Sequence, residues 1–395
     1  MEKRENKERR YAFLNALHKI KNLPPEDKDS FWNIASINGQ PFNKKRTLPP
    51  ESEKVWGGYS QHLNVLFLPW YRAYLLYFEQ ALIRAAPNNQ SSLVSLPYWD
   101  ATAHRTLSDG FPDLLMDEYL EIDDFGNTIP NPLLNFTLPV GIPPFESSPK
   151  YSKPKGYTTC RYPFSGLMGP TEPLPATKVQ NDYLTQNFRD PRVYLQENIL
   201  YSLNHASPSI KKIFKDCLET KTYNAFSNEL SAKMTGETSL ETASIGILHA
   251  IGGSYDSSLM AGANGDMACN EMSAFDPMFF LHMANIDRIF WEWQLKNNPN
   301  DPGSTLKIDT KKIGDKNKQD KGIKTKYGQG PAPNQSGDKE LDNNSKLFPF
   351  KDSITPQEIA EVNDVCDIEF QLKYTYSSGS HSNQCKRNIN VNTDN

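Results

Sequence analysis

Seven histidines and five cysteines are the side chains of this chain best suited to metal or nucleophilic chemistry. The cysteines, Cys160, Cys217, Cys269, Cys366 and Cys385, are widely spaced, odd in number and lack a Cys-x-x-Cys pair, so they read as free thiols in a reducing compartment. Of the histidines, His18 lies on an amphipathic segment and reads as a surface or interface residue, while His104, His205 and His381 sit in loop-like sequence. His62, His249 and His282 remain, each inside a long apolar-patterned stretch. In residues 239–253, Glu241, Ile245 and His249 recur every four positions, so a helix would place a carboxylate and an imidazole on one face. Such groups hold a divalent ion or move protons. Glu241 equally suits the positive end of its own helix.

The elements that must position these groups read as mainly helical. Phe13, Leu14, Leu17 and Ile20 share a face over residues 11–22, which Leu23-Pro24-Pro25 ends. A second helix starts near Pro69, a residue tolerated in a first turn, and runs to Arg84 with Tyr74, Leu75, Phe78 and Leu82 on one face. An amphipathic segment covers residues 193–203. Residues 101–180 are rich in Pro, Gly and Asp with little periodicity and predict long ordered loops across the helical core. Residues 300–345, with Lys307, Lys311, Lys312, Lys316, Lys318 and Lys321, predict a solvated, mobile loop.

With 395 residues and 37% hydrophobic content, the chain can build a large core. A formal charge of −4 gives no reason to expect nucleic acid. No apolar run approaches the roughly 20 residues that span a bilayer. The charged start, Met1 to Arg10, has no signal-type apolar core behind it, so an intracellular, cytoplasmic protein is expected.

Several phrases recur in a recognisable order. Asn38-Gly39-Gln40-Pro41 is followed by His62, four residues, Phe67, then Trp70-Tyr71-Arg72 and Glu79. Pro97-Tyr98-Trp99-Asp100 comes next, then Ile245 and His249 before Gly252-Gly253. Asp276-Pro277-Met278-Phe279, His282-Met283 and Asp287-Arg288 follow, and Tyr374-Thr375-Tyr376 closes the series. Over about residues 10–380 this resembles the tyrosinase and hemocyanin family of type-3 copper proteins. The resemblance implies a single domain over 1–395, mainly α-helical, built on a central antiparallel four-helix bundle with long ordered loops and no C-terminal lid domain.

In that family six imidazoles hold two coppers. The matching positions here are Asn38, His62, Tyr71, Ile245, His249 and Met283, so only two histidines survive. Ser60 stands where many fungal relatives carry a cysteine cross-linked to the histidine two residues on, and that thioether cannot form. A dicopper centre is therefore not expected. Paired metals lie about 3.5–4 Å apart, so His62 and His249 could converge on one divalent ion, expected to be zinc. Glu241 is the first candidate for a third ligand, with Asp266 and His282 behind it. Asp266 lies where relatives often show a histidine, and His282 equally suits a histidine bonded to backbone.

The depletion pattern resembles cyclopenases of fungal quinolone-alkaloid pathways. That implies a non-oxidative lyase acting on a cyclopenin-type benzodiazepinedione epoxide, an aromatic alkaloid. The expected product is a viridicatin-type 3-hydroxy-4-arylquinolin-2-one, with loss of methyl isocyanate. Tyr71 and Asn38 would be the catalytic polar groups, and Ile245 and Met283 would line the substrate pocket. Two other readings remain open, a non-catalytic relative that binds a phenolic ligand or partner, and a residual copper oxidase. A homo-oligomer is also left open.

Overall fold

A computed structural model describes residues 4–39, 58–87, 90–142, 152–169, 172–187, 190–253, 263–310, 319–324, 340–350 and 354–360. Within them the first helices are α1 (Arg4–Lys21), α2 (Phe31–Asn38), α3 (Phe67–Ala85) and α4 (His104–Asp109). Next come α5 (Pro175–Asn187), α6 (Pro191–Asn204), α7 (Ile210–Cys217) and α8 (Tyr223–Ser227). The series closes with α9 (Glu229–Thr235), α10 (Leu240–Gly252) and α11 (Met278–Asn297). A short antiparallel hairpin, β1 (Tyr119–Glu121) with β2 (Thr128–Pro130), pairs Leu120 with Ile129. No described helix is long and apolar enough to cross a membrane.

The helices begin and end where backbone chemistry allows. Ser30, Asp190, Ser209, Asn228 and Ser239 each accept a backbone N–H in the first turn of α2, α6, α7, α9 and α10. Pro69 falls inside the first turn of α3, as its sequence suggests. Gly252 and Gly253 end α10 for steric reasons. A Cβ on Gly252 would lie 2.1 Å from the Ala268 nitrogen, and Gly253 adopts φ +77°.

Helix α11 packs against both α3 and α10, while α1 covers α3 and α6 and α7 cover α10. Their seam is aromatic. Phe78 and Phe280 stack with ring centroids 3.8 Å apart, and Phe31 meets both edge-on. This trio of α3, α11 and α10 carries the site; these contacts do not define a fourth bundle helix.

The charged residues of the family-like phrases pair in the interior. Arg72, fully buried, donates to Asp287 at 2.7 Å, to the Ile359 and Ala360 carbonyls and to Gln294. Arg161 grips Asp276 through two bonds of 2.6 and 2.7 Å. Glu79 accepts the Leu96 N–H, Arg288 reaches Asp100, and the Trp99 N–H bonds the Leu281 carbonyl. The Pro97-Tyr98-Trp99-Asp100 turn is thereby fastened to α3 and α11.

One region differs from expectation. The stretch 300–345 is anchored where it is described: Asp320 is buried and accepts from Asn224 and Ser231. Lys307 and Lys321 are exposed, and Lys311, Lys312, Lys316 and Lys318 fall outside the described residues. Cys160, Cys217 and Cys269 are free thiols. Cys366, Cys385, His381 and Tyr374-Thr375-Tyr376 also fall outside the described residues.

Candidate functional site

The site starts at the end of α2. Backbone bonds from Tyr59 to Ile37 and from Ser60 to Asn38 lay residues 59–62 alongside it. The Asn38 amide donates to the Asn270 carbonyl and the Ser273 hydroxyl, which turns its oxygen toward α3. There the Tyr71 hydroxyl stands 2.8 Å from Asn38 Oδ1 and 3.0 Å from His62 Nε2. Tyr71 is held from the opposite side of its helix by the buried Arg72 pairing.

His62 continues the chain of contacts. Its Nδ1 lies 3.2 Å from Oε1 of Glu241, the second residue of α10. The same carboxylate accepts the Leu63 N–H at 2.8 Å and, through Oε2, the Glu229 N–H at 3.0 Å. The Glu229 bond sets the carboxylate against the N-terminus of α9, where helix N–H groups favour negative charge. Leu63 adopts φ +59°, a left-handed conformation that a leucine enters at a cost. That turn delivers its N–H to Glu241.

Asn38, Tyr71, His62 and Glu241 thus form one hydrogen-bonded run, and it admits two proton placements. Tyr71 can donate to His62 Nε2 while Nδ1–H donates to Glu241. Alternatively, Tyr71 donates to Asn38 while both ring nitrogens carry protons. The second placement holds one more proton than the first, on His62 Nε2, with the same heavy-atom contacts. Burial pushes the Tyr71 phenol well above its ordinary range, the Glu241 charge adds to that, and a Ser60 hydrogen bond opposes it. Tyr71 therefore stays protonated and acts as a bridge.

His249 lies eight residues beyond Glu241 on α10, about 12 Å along the helix axis. Its ring is half-buried and meets no hydrogen-bonding partner among the described residues. Burial lowers its pKa from the usual 6.5, so it is neutral near pH 7. Ile245, one turn before it, is half-buried on the same face. Met283 is fully buried and its sulfur accepts from the Ser244 hydroxyl at 3.6 Å, so it packs inside the wall. His282 sits 2.9 Å from the same hydroxyl through Nε2, while its Nδ1 has no partner among the described residues. Burial drives its pKa down to about 3.

These donors do not fit a pair of coppers. Two imidazoles replace six, and both nitrogens of His62 are already hydrogen-bonded. The expected three-ligand zinc site is not assembled either. Among the described residues no three His, Cys, Asp or Glu side chains converge as a ligand set. Glu241 reaches His62 through a hydrogen bond and spends its oxygens on backbone N–H groups. Asp266 is committed elsewhere, to Lys153 at 3.0 Å, to Tyr157 at 2.6 Å and to the Cys160 N–H. His282 is turned toward Ser244. Asn270, Ser273, Glu229 and Ser244 complete the site, and no sequence pattern marked them because each acts from a loop or across two helices.

The residues can be set beside known proteins. A family model for the common central domain of tyrosinase matches residues 8–296. Tyrosinase HcTyr2 of a Hahella species is 34% identical over 93% of this chain and 69% of its own length. The tyrosinase of Aspergillus oryzae is 30% identical over 94% of this chain and 71% of its own. The structure resembles a tyrosinase from Burkholderia thailandensis with a TM-score of 0.75 and 32% identity, covering 94% of this chain and 72% of that one.

Proposed function

The chain belongs to the tyrosinase family, and we propose that it has left dinuclear copper oxidation for non-oxidative acid–base chemistry on an aromatic organic substrate. The observation that carries this is the hydrogen-bonded run Asn38, Tyr71, His62, Glu241. Asn38, His62 and Tyr71 of this run stand at positions matched to the family's copper-binding imidazoles, and with Glu241 behind His62 they form a proton-moving group instead. The His62 side chain is 18% exposed while Glu241 is fully buried, so His62 is the member that faces a substrate. A buried carboxylate behind an imidazole orients the ring and supports the charge it gains.

His62 and His249 stand at the two ends of the Glu241–Ile245–His249 face. That span suits an organic molecule laid along Ile245, with His62, backed by the Glu241 carboxylate, at one end and the neutral His249, without a hydrogen-bond partner among the described residues, at the other. The substrate class that the cyclopenase resemblance implies, a spiro-epoxide benzodiazepinedione, has matching needs. In the placement that carries both ring protons, His62 would turn its Nε2–H from the Tyr71 oxygen, which keeps its own bond to Asn38, to the epoxide oxygen as the anilide ring attacks the aryl-bearing carbon and the C–O bond opens. The oxygen left on the spiro carbon closes to a carbonyl as that carbon's bond to the methylated nitrogen breaks, and the aryl–carbonyl bond breaks to restore the aromatic ring, so methyl isocyanate leaves. His249 then takes the proton on the aryl-bearing carbon, and the neighbouring oxygen gains one, giving the 3-hydroxyquinolinone. Atoms and electrons balance without dioxygen.

A second reading, copper-dependent oxidation of phenols, draws on the kinship with proteins named tyrosinases. One experiment separates the two: metal analysis of the purified protein, then turnover of the epoxide and of a catechol, anaerobically and in air. Epoxide turnover without oxygen, lost in His249→Ala and His62→Ala, is the expected result. Paired copper at stoichiometric level with oxygen-dependent catechol oxidation would overturn the proposal. Neither activity, with ligand binding unchanged in His249→Ala, would leave a non-catalytic relative.

A further inference from the structure

Trp99 is held on two sides and still has a donor to give. Its backbone N–H bonds the Leu281 carbonyl of α11 at 3.1 Å, and its ring meets Phe111 edge-on with centroids 5.3 Å apart. The residue is buried, at 6% exposure, and its Nε1 has no hydrogen-bond acceptor among the described residues. An indole nitrogen can only donate, and a buried N–H normally finds a partner.

The same residue borders a cavity of about 330 Å³, a volume within the range of small-molecule sites. Phe13 and Leu14 of α1, Leu115, Leu133 and Leu281 of α11 give it a buried apolar wall. Arg9 and Arg10 of α1 border it too, and both are engaged in contacts of their own, Arg10 over the Tyr11 ring at 5.4 Å. The cavity thus joins apolar surface to one fixed N–H donor. None of the residues that border it belongs to the Asn38, Tyr71, His62, Glu241 run or to the His249 face.

We propose that this cavity is a second ligand site, for a neutral aromatic or alicyclic molecule that carries one acceptor oxygen, such as a cyclic ketone. The rings lie against Phe13 and the leucines, and the oxygen takes the Trp99 N–H. Apolar walls favour a body without charge, because an ion entering them gives up its water. An acceptor at Trp99 removes the cost of a buried donor left unpaired, whereas a hydrocarbon of the same shape leaves that cost in place.

The test is an NMR titration of the full chain, isotope-labelled at its tryptophan indole nitrogens, with 1-tetralone and with tetralin, which has the same ring system and no oxygen. The Trp99 Nε1–H resonance is identified by its loss in Trp99→Phe. Saturable binding of 1-tetralone with Kd below about 1 mM is expected, that resonance moving downfield, with tetralin at least about fivefold weaker. Trp99→Phe keeps an aromatic ring and removes the donor. By calorimetry it should weaken 1-tetralone about fivefold to tenfold and leave tetralin within about twofold. Leu114, also on the cavity wall, offers a second variant: Leu114→Trp fills the space and should abolish the shift, which keeps the test open if Trp99→Phe does not fold. No saturable shift up to about 5 mM, tetralin binding as tightly as 1-tetralone, or an unchanged shift in Leu114→Trp would overturn the proposal.

Discussion

Glu241→Gln is the sharpest perturbation of the site, because the two side chains share a shape and differ in charge and donors. The carboxylate accepts three hydrogen bonds, from Leu63 N–H, Glu229 N–H and His62 Nδ1, and it is fully buried. A glutamine has one oxygen to offer and turns an NH₂ group toward at least one of those donors. One buried donor is then left unpaired, at about 1–3 kcal/mol, and the remaining bonds fall from charge-assisted to neutral, about 1 kcal/mol each. The loss should be about 4 kcal/mol. Domains of 150–250 residues shift by about 2–4 °C per kcal/mol, so a drop of at least several degrees is expected for this longer chain. Thermal unfolding followed by circular dichroism measures it, and ring-nitrogen NMR of His62 should show the Nδ1 environment altered. Epoxide turnover should fall with it. If Glu241→Gln melts within about 1 °C of the parent protein and the His62 resonances do not move, the carboxylate is not holding His62 and the relay is wrong.

Tyr71→Phe removes the hydroxyl between Asn38 and His62, so it should cost about 1–3 kcal/mol in urea unfolding and slow turnover while substrate affinity holds; unchanged kcat would count against Tyr71 as the bridge. His282 carries the pH dependence. Its folded pKa of about 3 lies below the unfolded 6.5, so the folded state binds fewer protons and stability present above pH 6.5 is lost on acidification toward pH 3. Between pH 7 and pH 5 this amounts to about 2 kcal/mol by proton linkage, and His282→Gln should flatten that part of the profile; an equal slope in both proteins would refute the assignment. Arg72→Met strands the buried Asp287 and should cost about 3–5 kcal/mol in chemical denaturation, which Asp287→Leu added to it should partly restore.

The helical frame was readable from local chemistry. The α10 segment was expected over 239–253 and spans Leu240–Gly252, because Ser239 caps it and Gly253 needs a positive φ. The α3 start near Pro69 and the 193–203 segment within α6 follow from proline placement and apolar spacing in the same way. The far end of α11 was not marked: the helix runs on to Asn297 because Trp291 and Trp293 bury against the core, a contact made across the fold. Spacing placed Glu241 on the face of His249, yet its partners are Leu63 and Glu229, and no periodicity reports a carboxylate shared by a loop turn and another helix. Asp320 was hidden for a related reason, since an acid buried by Asn224 and Ser231 sits in a tract whose composition reads as solvated.

The family-like phrases divide cleanly by physical role. Arg72, Glu79, Asp276 and Asp287 are charges satisfied inside the protein, and removing any one would leave a partner short of its bond in a low-dielectric interior, while Asp100 and Arg288 pair at its half-buried edge. The residues at the positions matched to copper ligands are satisfied chiefly by one another and by the loops beside them. Asn38 and Tyr71 satisfy each other and His62, Met283 accepts from Ser244, and Ile245 supplies apolar surface beside His249. Restoring histidine at position 71 alone would remove the hydroxyl that joins Asn38 to His62 without supplying the other lost imidazoles. The tyrosine in Trp70-Tyr71-Arg72 is therefore held in place by the hydrogen-bonded run it belongs to.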